Sequence, residues 1–336
     1  MNNRRILRRL LLALPTVLGV GVIVFVLLRV VPGNPIAMMT PPGATAQDIE
    51  QLKALYGFDK SIFHQLIIWG KNILSGDLGT SISLRQNVAT LIADRLPATL
   101  ELVFVASLIG SVLCLTMSLI AVYLNGTIVS ALLNAIASLT QAVPDFLWGL
   151  LLILALGVLW PVLPISGRFD PRSTHEFVSQ FYLFESLFTL NWSVFTELLS
   201  RMIMPALALA LPLTGIVTRV LKASLEEVMQ QDFILMARAR GHSRLRILWA
   251  EALRNAMIPT LTLGGVQLTF LIGGTVLIER LFSYPGIGNM AIGAVIDRDL
   301  PLIQGLVLTF AIIFIVINLL VDLSYSWLNP RVRQNV

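Results

Sequence analysis

Residues Asp232 to Pro259 read DFILMARARGHSRLRILWAEALRNAMIP, and they form the most basic segment of the chain between two long apolar stretches. Arginines lie on both sides of Gly241, within flanks of mixed apolar and polar composition typical of amphipathic helices. Glycine tolerates a positive φ and the close approach of another backbone, which suits a tight turn. The segment therefore predicts a helix-turn-helix that presents a basic surface to a partner in water.

The composition of the whole chain is that of a membrane protein. Of its 336 residues, 56% are hydrophobic and 13% are charged, and the mean hydropathy is +0.82. Soluble proteins carry about 25% charged residues. A helix needs about 20 apolar residues to cross the bilayer. Six stretches are long enough, and they predict an all-α polytopic fold: Leu10–Val31, Ala98–Tyr123, Ile128–Leu159, Met202–Leu221, Ile258–Ile278 and Leu302–Trp327.

The third of these stretches is longer than one span requires. Pro144 and Asp145 lie inside it, and a proline removes a helical hydrogen bond and clashes with the preceding turn. The pattern predicts a kinked or broken helix, with two shorter segments as the alternative.

Arginine and lysine are concentrated on one predicted side of the membrane. The basic residues on that side are Arg4, Arg5, Arg8, Arg9, Lys222, Arg238, Arg240, Arg244, Arg246, Arg254, Arg331 and Arg333. Cytoplasmic loops are enriched in such residues, so both termini are predicted to be cytoplasmic. The predicted division is an N-terminus with its first span (1–31), an external segment (32–97), a core (98–327) containing a loop at about 229–256, and a cytoplasmic tail (328–336). The net charge of +5 reflects this topology and gives no indication of nucleic acid.

The N-terminal apolar run is interpreted as a retained anchor, because it is too long for the apolar region of a signal peptide. The external segment that follows predicts two amphipathic helices, Thr45–Gly57 and Ile62–Leu74. They either lie on the membrane surface or contact an external partner. The single cysteine, Cys114, lies in the second span, so no disulfide framework is predicted.

No catalytic, cofactor-binding or metal-binding set is predicted from the residues. The sequence has no G-x-x-x-x-G-K-[ST] phosphate loop, and His64, His175 and His242 are isolated from one another. His242 is interpreted as a polar surface residue.

Five ionisable residues lie in or next to the predicted spans. Four of them are expected to reach interfacial water from span ends: Arg29, Glu101, Arg201 and Glu279. Asp322 is the deepest, and a structural role is favoured for it over ion coupling.

Several motifs then resemble one family along nearly the whole chain. The segment from Asp232 resembles the coupling loop of permease subunits of binding-protein-dependent ABC importers, in the dipeptide, oligopeptide and nickel group. Leu235 and Met236 replace the Glu and Ala of the broader pattern, as they do in the peptide subgroup. The motifs occur in the family's order: VPGNP (31–35, with Asn34 for the usual Asp), GDLGTS (76–81), PATLEL (97–102), LPISGR (163–168), ARARG (237–241), ALRNAMIP (252–259), FSYPGIG (282–288) and NLLVDLSY (318–325).

The resemblance implies a type I ABC importer permease fold in a bacterial inner membrane. It implies that ATP is hydrolysed by two partner ATPase subunits, beside a second homologous permease and an extracytoplasmic solute-binding protein. The loop residues implied to couple to the ATPase are Asp232, Ala237, Arg238, Arg240, Gly241, Arg244 and Arg254. The positive-inside rule explains part of the same charge, and the two interpretations of these arginines are weighted about equally.

The resemblance implies a peptide cargo, with nickel or metal chelates, glutathione and opine-like solutes as alternatives. A secondary transporter would need a relay of intramembrane acids, and an intramembrane enzyme would need clustered catalytic side chains. The residues favour neither of these classes.

Overall fold

The structure, a computed structural model, describes residues 3–30, 45, 47, 50, 60–173 and 175–328. Side chains are described for 15–29, 45, 47, 50 and 60–324, apart from 174 and 322. Over these residues the regular structure is helical, with one isolated β-bridge between Thr80 and Asn87. The prediction of an all-α fold is therefore confirmed. The predicted helix at Thr45–Gly57 lies almost entirely outside the described residues, whereas the one at Ile62–Leu74 is present with those bounds.

The described helices are α1 (Asn3–Val30), α2 (Ile62–Leu74), α3 (Val88–Tyr123), α4 (Ile128–Ala142), α5 (Asp145–Leu152, continued as a π-helix over Ile153–Leu159), α6 (Tyr182–Phe188), α7 (Trp192–Val228), α8 (Asp232–Ala239), α9 (Arg244–Leu281, with a π-helical segment Ile247–Ala252), α10 (Ile287–Ile296) and α11 (Leu300–Leu328).

All six predicted spans fall on helices. Among the described residues, four helices are long and apolar enough to cross a membrane: α3, α7, α9 and the Leu300–Val321 part of α11. The pair α4 and α5 makes a fifth if it is one broken span. The first predicted span lies on α1, whose described apolar part, Pro15–Arg29, is shorter. The helices are longer than the apolar stretches that predicted them, because polar residues continue the same helices at their ends.

The predicted break at Pro144 is confirmed. Helix α4 ends at Ala142, Val143 is extended, and α5 begins at Asp145 after a bend of 106°. Pro144 occupies the position before the first helical residue of α5, where its missing N–H costs no hydrogen bond. The bend turns α5 away from the direction of α4 and lets it pack against α7 and α9.

The chain divides into two compact units. The first comprises Met1–Leu96 and Asn289–Ile315. In it, the buried carboxylate of Asp299 accepts hydrogen bonds from the Ser81 hydroxyl (2.6 Å) and from the hydroxyl and backbone N–H of Ser83 (2.9 and 3.0 Å). Its other oxygen accepts from the N–H of Leu302, in the first turn of α11 (3.2 Å). Asp299 therefore fixes the end of the GDLGTS motif, and Ser83 just after it, to the start of α11.

The second unit comprises Pro97–Gly288 and Val316–Val336 and contains α7 at its centre. Seventeen residues of α7 are buried, and the helix packs against α4, α5, α6 and α9. A β-carbon at Gly215 would collide with the backbone of α4 at Ala137 and Gln141. Within a membrane the hydrophobic effect does not drive helices together, and small residues instead allow their backbones to pack closely. Gly215 therefore sets the separation of α4 and α7.

Candidate functional site

The predicted helix-turn-helix is present, and Gly241 is the residue that makes the turn. Gly241 has φ = +79°, and its N–H donates to the carbonyl of Arg238 (2.9 Å). The N–H of His242 donates to the carbonyl of Ala237 (3.2 Å). These two bonds form a Schellman motif, in which a residue with positive φ closes the helix and satisfies its last carbonyl groups. The prediction from sequence that Gly241 forms a turn between two helices is therefore confirmed.

The following helix begins immediately after the turn. Ser243 is the N-cap of α9, and its hydroxyl accepts a hydrogen bond from the N–H of Arg246 (3.4 Å). Two helix ends are thus capped within a few residues, which holds α8 and α9 in a fixed geometry. The two helices contact each other, and their buried residues include Ile234, Ala237, Ile247 and Leu248.

Most of the predicted coupling residues lie on the outside of this turn. Asp232, Arg238, Arg240, Gly241 and Arg254 are exposed, whereas Ala237 is buried. Within the described part of the chain, no carboxylate pairs with Arg238, Arg240 or Arg254. Arg238, Arg240 and Gly241 are thus exposed close together at the turn.

Arg254 lies apart from the turn. It is ten residues beyond Arg244 on α9, which corresponds to about 15 Å of helix.

Arg244 has a different role from its neighbours. Its guanidinium donates to the carbonyl of Val122 (3.2 Å) and lies 5.4 Å from the ring centre of Tyr123, at the end of α3. The same carbonyl also accepts from the N–H of Asn125 (3.4 Å), so two donors bind it at the helix end. Arg244 therefore tethers the turn to α3, although its side chain remains exposed.

Apolar side chains share the exposed surface with the arginines. Leu235, Met236, Leu245 and Trp249 are each between 54% and 58% exposed, on the two helices that flank Gly241. Sequence reasoning did not single out these residues as part of the site. Exposed apolar groups rimmed by basic groups are typical of a surface that binds another protein. We refer to α8, the turn at Gly241 and the first turns of α9 as the docking turn.

A second feature, a buried polar cluster in the second unit, was not predicted. Glu101 is fully buried and forms an ion pair with the buried Arg168 (2.6 Å). The other Glu101 oxygen accepts hydrogen bonds from the N–H groups of Leu183 and Phe184 in the first turn of α6 (2.9 and 3.2 Å). Arg168 also donates to the carbonyl of Gln180 (2.8 Å). The pair thus fixes the loop between α5 and α6 to α3.

The same cluster includes the end of α9. Glu279 is fully buried, accepts a hydrogen bond from the Thr99 hydroxyl (2.6 Å), and fills the space where Gly286 would carry a β-carbon. The Thr99 hydroxyl accepts in turn from the N–H of Ile287 (2.9 Å). Tyr284 is also buried there, and burial raises the pKa of its phenol.

The sequence expectation that Glu101 and Glu279 reach interfacial water is therefore wrong, because protein groups surround both carboxylates. Arg201 is partly exposed and pairs with Asp170 and Glu197 (3.7 and 3.5 Å). Arg29 is bound to Gln65 (2.7 Å). The side chain of Asp322 lies outside the described residues. His242, expected on the surface, is partly buried.

Three separate sequence motifs meet in the buried cluster. PATLEL supplies Thr99 and Glu101, LPISGR supplies Arg168, and FSYPGIG supplies Tyr284 and Gly286. The docking turn contains a fourth motif, ARARG.

Residues 115–334 match the family described as binding-protein-dependent transport system inner membrane component, and residues 2–103 match the N-terminal family of the same transport systems. The chain belongs to this family.

The similarity of this permease family member to curated relatives extends over nearly their full length. It is 35% identical over 334 residues to the dipeptide transport system permease protein DppB of Escherichia coli (strain K12), with 98% of each chain covered. It is 34% identical over 333 residues to the di/tripeptide transport system permease protein DppB of Pseudomonas aeruginosa (strain UCBPP-PA14), again with 98% of each covered.

A solved structure shares the permease fold. A chain from inward-facing conformations of the MetNI methionine ABC transporter matches with a TM-score of 0.54 at 15% identity, covering 72% of this permease and 97% of that chain. At this identity the likeness shows the fold alone. The family is a transport component of the inner membrane and not an enzyme, and the apolar helices of this permease agree with a multi-pass membrane protein.

Proposed function

We propose that this permease is one of two membrane subunits of an ATP-driven importer and forms half of the translocation pathway for di- or oligopeptides. The observation that carries the proposal is the full-length similarity to permeases named for dipeptide and di/tripeptide transport. Those names favour peptides over nickel or metal chelates, glutathione and opine-like solutes. The second membrane subunit is a homologous permease, and a solute-binding protein delivers the peptide from outside.

Energy reaches this subunit through the docking turn. The sequence has no phosphate-binding loop. ATP is hydrolysed by partner ATPase subunits, two of them as the family resemblance implies. The exposed Arg238 and Arg240, with Leu235 and Met236 beside them, offer an ATPase both charged and apolar contacts. ATP binding changes the relative stability of the inward-facing and outward-facing states, and the peptide is released without covalent chemistry.

Helix α9 connects the docking turn to the buried polar cluster. It runs from Arg244 to Leu281, 38 residues or about 57 Å of helix. Glu279 lies near its far end and contacts Thr99 of α3. A displacement of the docking turn is therefore passed along one helix through the depth of the membrane. The π-helical segment Ile247–Ala252 and Pro259 are the positions at which this helix bends most easily.

The orientation follows from the charge asymmetry. The docking turn and both termini are cytoplasmic, and the loop containing Ser173 is external. In this orientation the ATPases contact the docking turn from the cytoplasm, and the cluster of Glu101, Arg168 and Glu279 lies toward the external ends of α3 and α9.

Cysteine labelling tests both the orientation and the docking. In a Cys114→Ser background, an impermeant maleimide should label Ser173→Cys but not Arg240→Cys in right-side-out vesicles. In inside-out vesicles it should label Arg240→Cys, and added ATPase subunits should protect that cysteine. Labelling of Arg240→Cys from the outside would reverse the topology. Labelling that is unaffected by the ATPases would remove the docking turn from their interface.

A further inference from the structure

The second unit contains a partly open cavity that the proposed function leaves unassigned. Its volume is about 230 Å³, and it lies between α3, α7, α9 and α11. Gly110, Ser111 and Cys114 line it from α3, and Gly264 lines it from α9. A β-carbon built on Gly264 meets no atom within 4 Å. Gly264 therefore has free space on a residue that lines the cavity, which makes it a suitable position for a substitution that fills the cavity.

The chemistry of the cavity wall selects an apolar ligand. None of its lining residues is charged. The hydroxyl groups of Ser107, Thr260 and Ser324 donate to the carbonyls of Phe104, Ala256 and Leu320 in their own helices (2.8, 2.9 and 2.9 Å). Their donor capacity is used within the protein, so these groups add little polar recognition. The rest of the wall consists mainly of leucine, valine, methionine and glycine.

The volume limits the size of the apolar group. An apolar cavity of about 150 Å³ in another protein accommodates benzene, whereas sites for whole drug-sized ligands measure about 300–1,000 Å³. A cavity of about 230 Å³ lies between these limits. It accepts one aromatic or branched aliphatic group, but it is too small for a whole peptide or a long acyl chain.

The position of the cavity suits a solute in transit. All its lining residues except Met257 lie inside four predicted spans. On α7 and α11 they lie toward the cytoplasmic halves, where Val217, Leu221 and Ser324 contribute. We propose that this cavity receives an apolar side chain of the peptide during its passage through the permease, an inference that rests on the proposed function. The cavity then favours peptides with large apolar side chains, while the backbone of the peptide stays outside it.

Filling the cavity tests the inference. Gly264→Leu places a side chain in the cavity, and Gly273→Leu is its matched control, because Gly273 lies on the same helix, has equally open space and does not line the cavity. The measurement is ATP-driven uptake of Phe-Phe relative to Ala-Ala by the complete transport complex. This ratio does not depend on how much of each variant is folded. Ser111→Leu fills the cavity from α3 and provides a second variant.

The ratio of Phe-Phe to Ala-Ala uptake should fall about tenfold in Gly264→Leu and Ser111→Leu, since each removes the burial site of a large apolar side chain. It should equal the wild-type ratio in Gly273→Leu. An unchanged ratio in both filled variants, with a wild type that imports both peptides, overturns the cavity inference alone. A wild-type complex that imports neither peptide with ATP overturns the proposed function and this inference with it.

Discussion

Gly241→Asp is expected to abolish ATP-driven uptake while the chain remains folded and inserted. Gly241 has φ = +79°, so any β-carbon there adds local strain of about 1 kcal/mol. Nothing lies within 4 Å of that β-carbon, so the substitution causes no steric collision that would unfold the turn. The aspartate adds a negative charge next to Arg240 at the proposed ATPase contact. Transmission of energy should therefore fail before folding does.

Two control variants separate charge and location from strain. Gly241→Asn tolerates a positive φ better than most residues and adds no charge, so it should retain most of the uptake. Ser173→Asp adds the same charge to an exposed loop and should behave like the wild type. Membrane abundance, co-purification of the ATPases and uptake are measured for all three variants. Wild-type uptake by Gly241→Asp would show that the turn is not the coupling element.

Arg168→Met is expected to cost about 3–5 kcal/mol of stability, since it leaves the carboxylate of Glu101 buried without its charged partner. The variant also loses the hydrogen bond to the Gln180 carbonyl and the contact of the guanidinium with the Tyr182 ring (3.9 Å). Thermal unfolding of the purified protein in detergent measures the effect. A loss of this size is a large share of the stability of a typical domain, about 5–15 kcal/mol.

The matched control for Arg168→Met is Arg172→Met, which removes an exposed arginine from the same loop. It should change the melting temperature little, because exposed charges contribute little to stability. The double variant Glu101→Gln with Arg168→Met should regain part of the loss, since no unpaired charge is then buried. Equal melting temperatures for Arg168→Met and Arg172→Met would contradict the assigned role of the ion pair.

Local patterns in the sequence predicted much of the fold. The break at Pro144 and the positive φ of Gly241 follow from the backbone properties of proline and glycine, which depend little on distant residues. Hydropathy located the spans but not their ends. Helix α3 begins at Val88, ten residues before the predicted start, because Val88 and Ile92 pack near Gly305 within the first unit. Gly305 is far from Val88 and Ile92 in the sequence, so a local pattern does not predict this contact.

The buried polar cluster could not be predicted from the same patterns. Arg168 is 67 residues from Glu101, and Glu279 is 180 residues from Thr99. Each residue belongs to a motif that the sequence displays, yet no periodicity indicates that these motifs meet. The positions of Glu101 and Glu279 near span ends predicted contact with water. Burial became possible because a guanidinium, a hydroxyl and backbone N–H groups replace that water.

The exposed apolar residues of the docking turn were also missed, for a different reason. Leu235 and Trp249 occur in a stretch whose arginines dominate its composition. Their exposure depends on which face of α8 packs against the π-helical segment of α9, where Ile247 and Leu248 are buried. A helical pattern predicts that the apolar face of a helix is buried. In α8 and at the start of α9 both faces carry apolar residues, so the pattern does not decide which face is exposed.

The central claim is that ATP hydrolysed by partner subunits drives solute through this permease. The most direct test is dipeptide uptake by vesicles that contain this chain, its second permease, both ATPases and the binding protein, with either ATP inside or an imposed ion gradient as the energy source. We predict uptake with ATP alone, no uptake with a proton or sodium gradient alone, and none with a non-hydrolysable nucleotide. Uptake driven by an ion gradient in vesicles that contain only this chain would contradict the account.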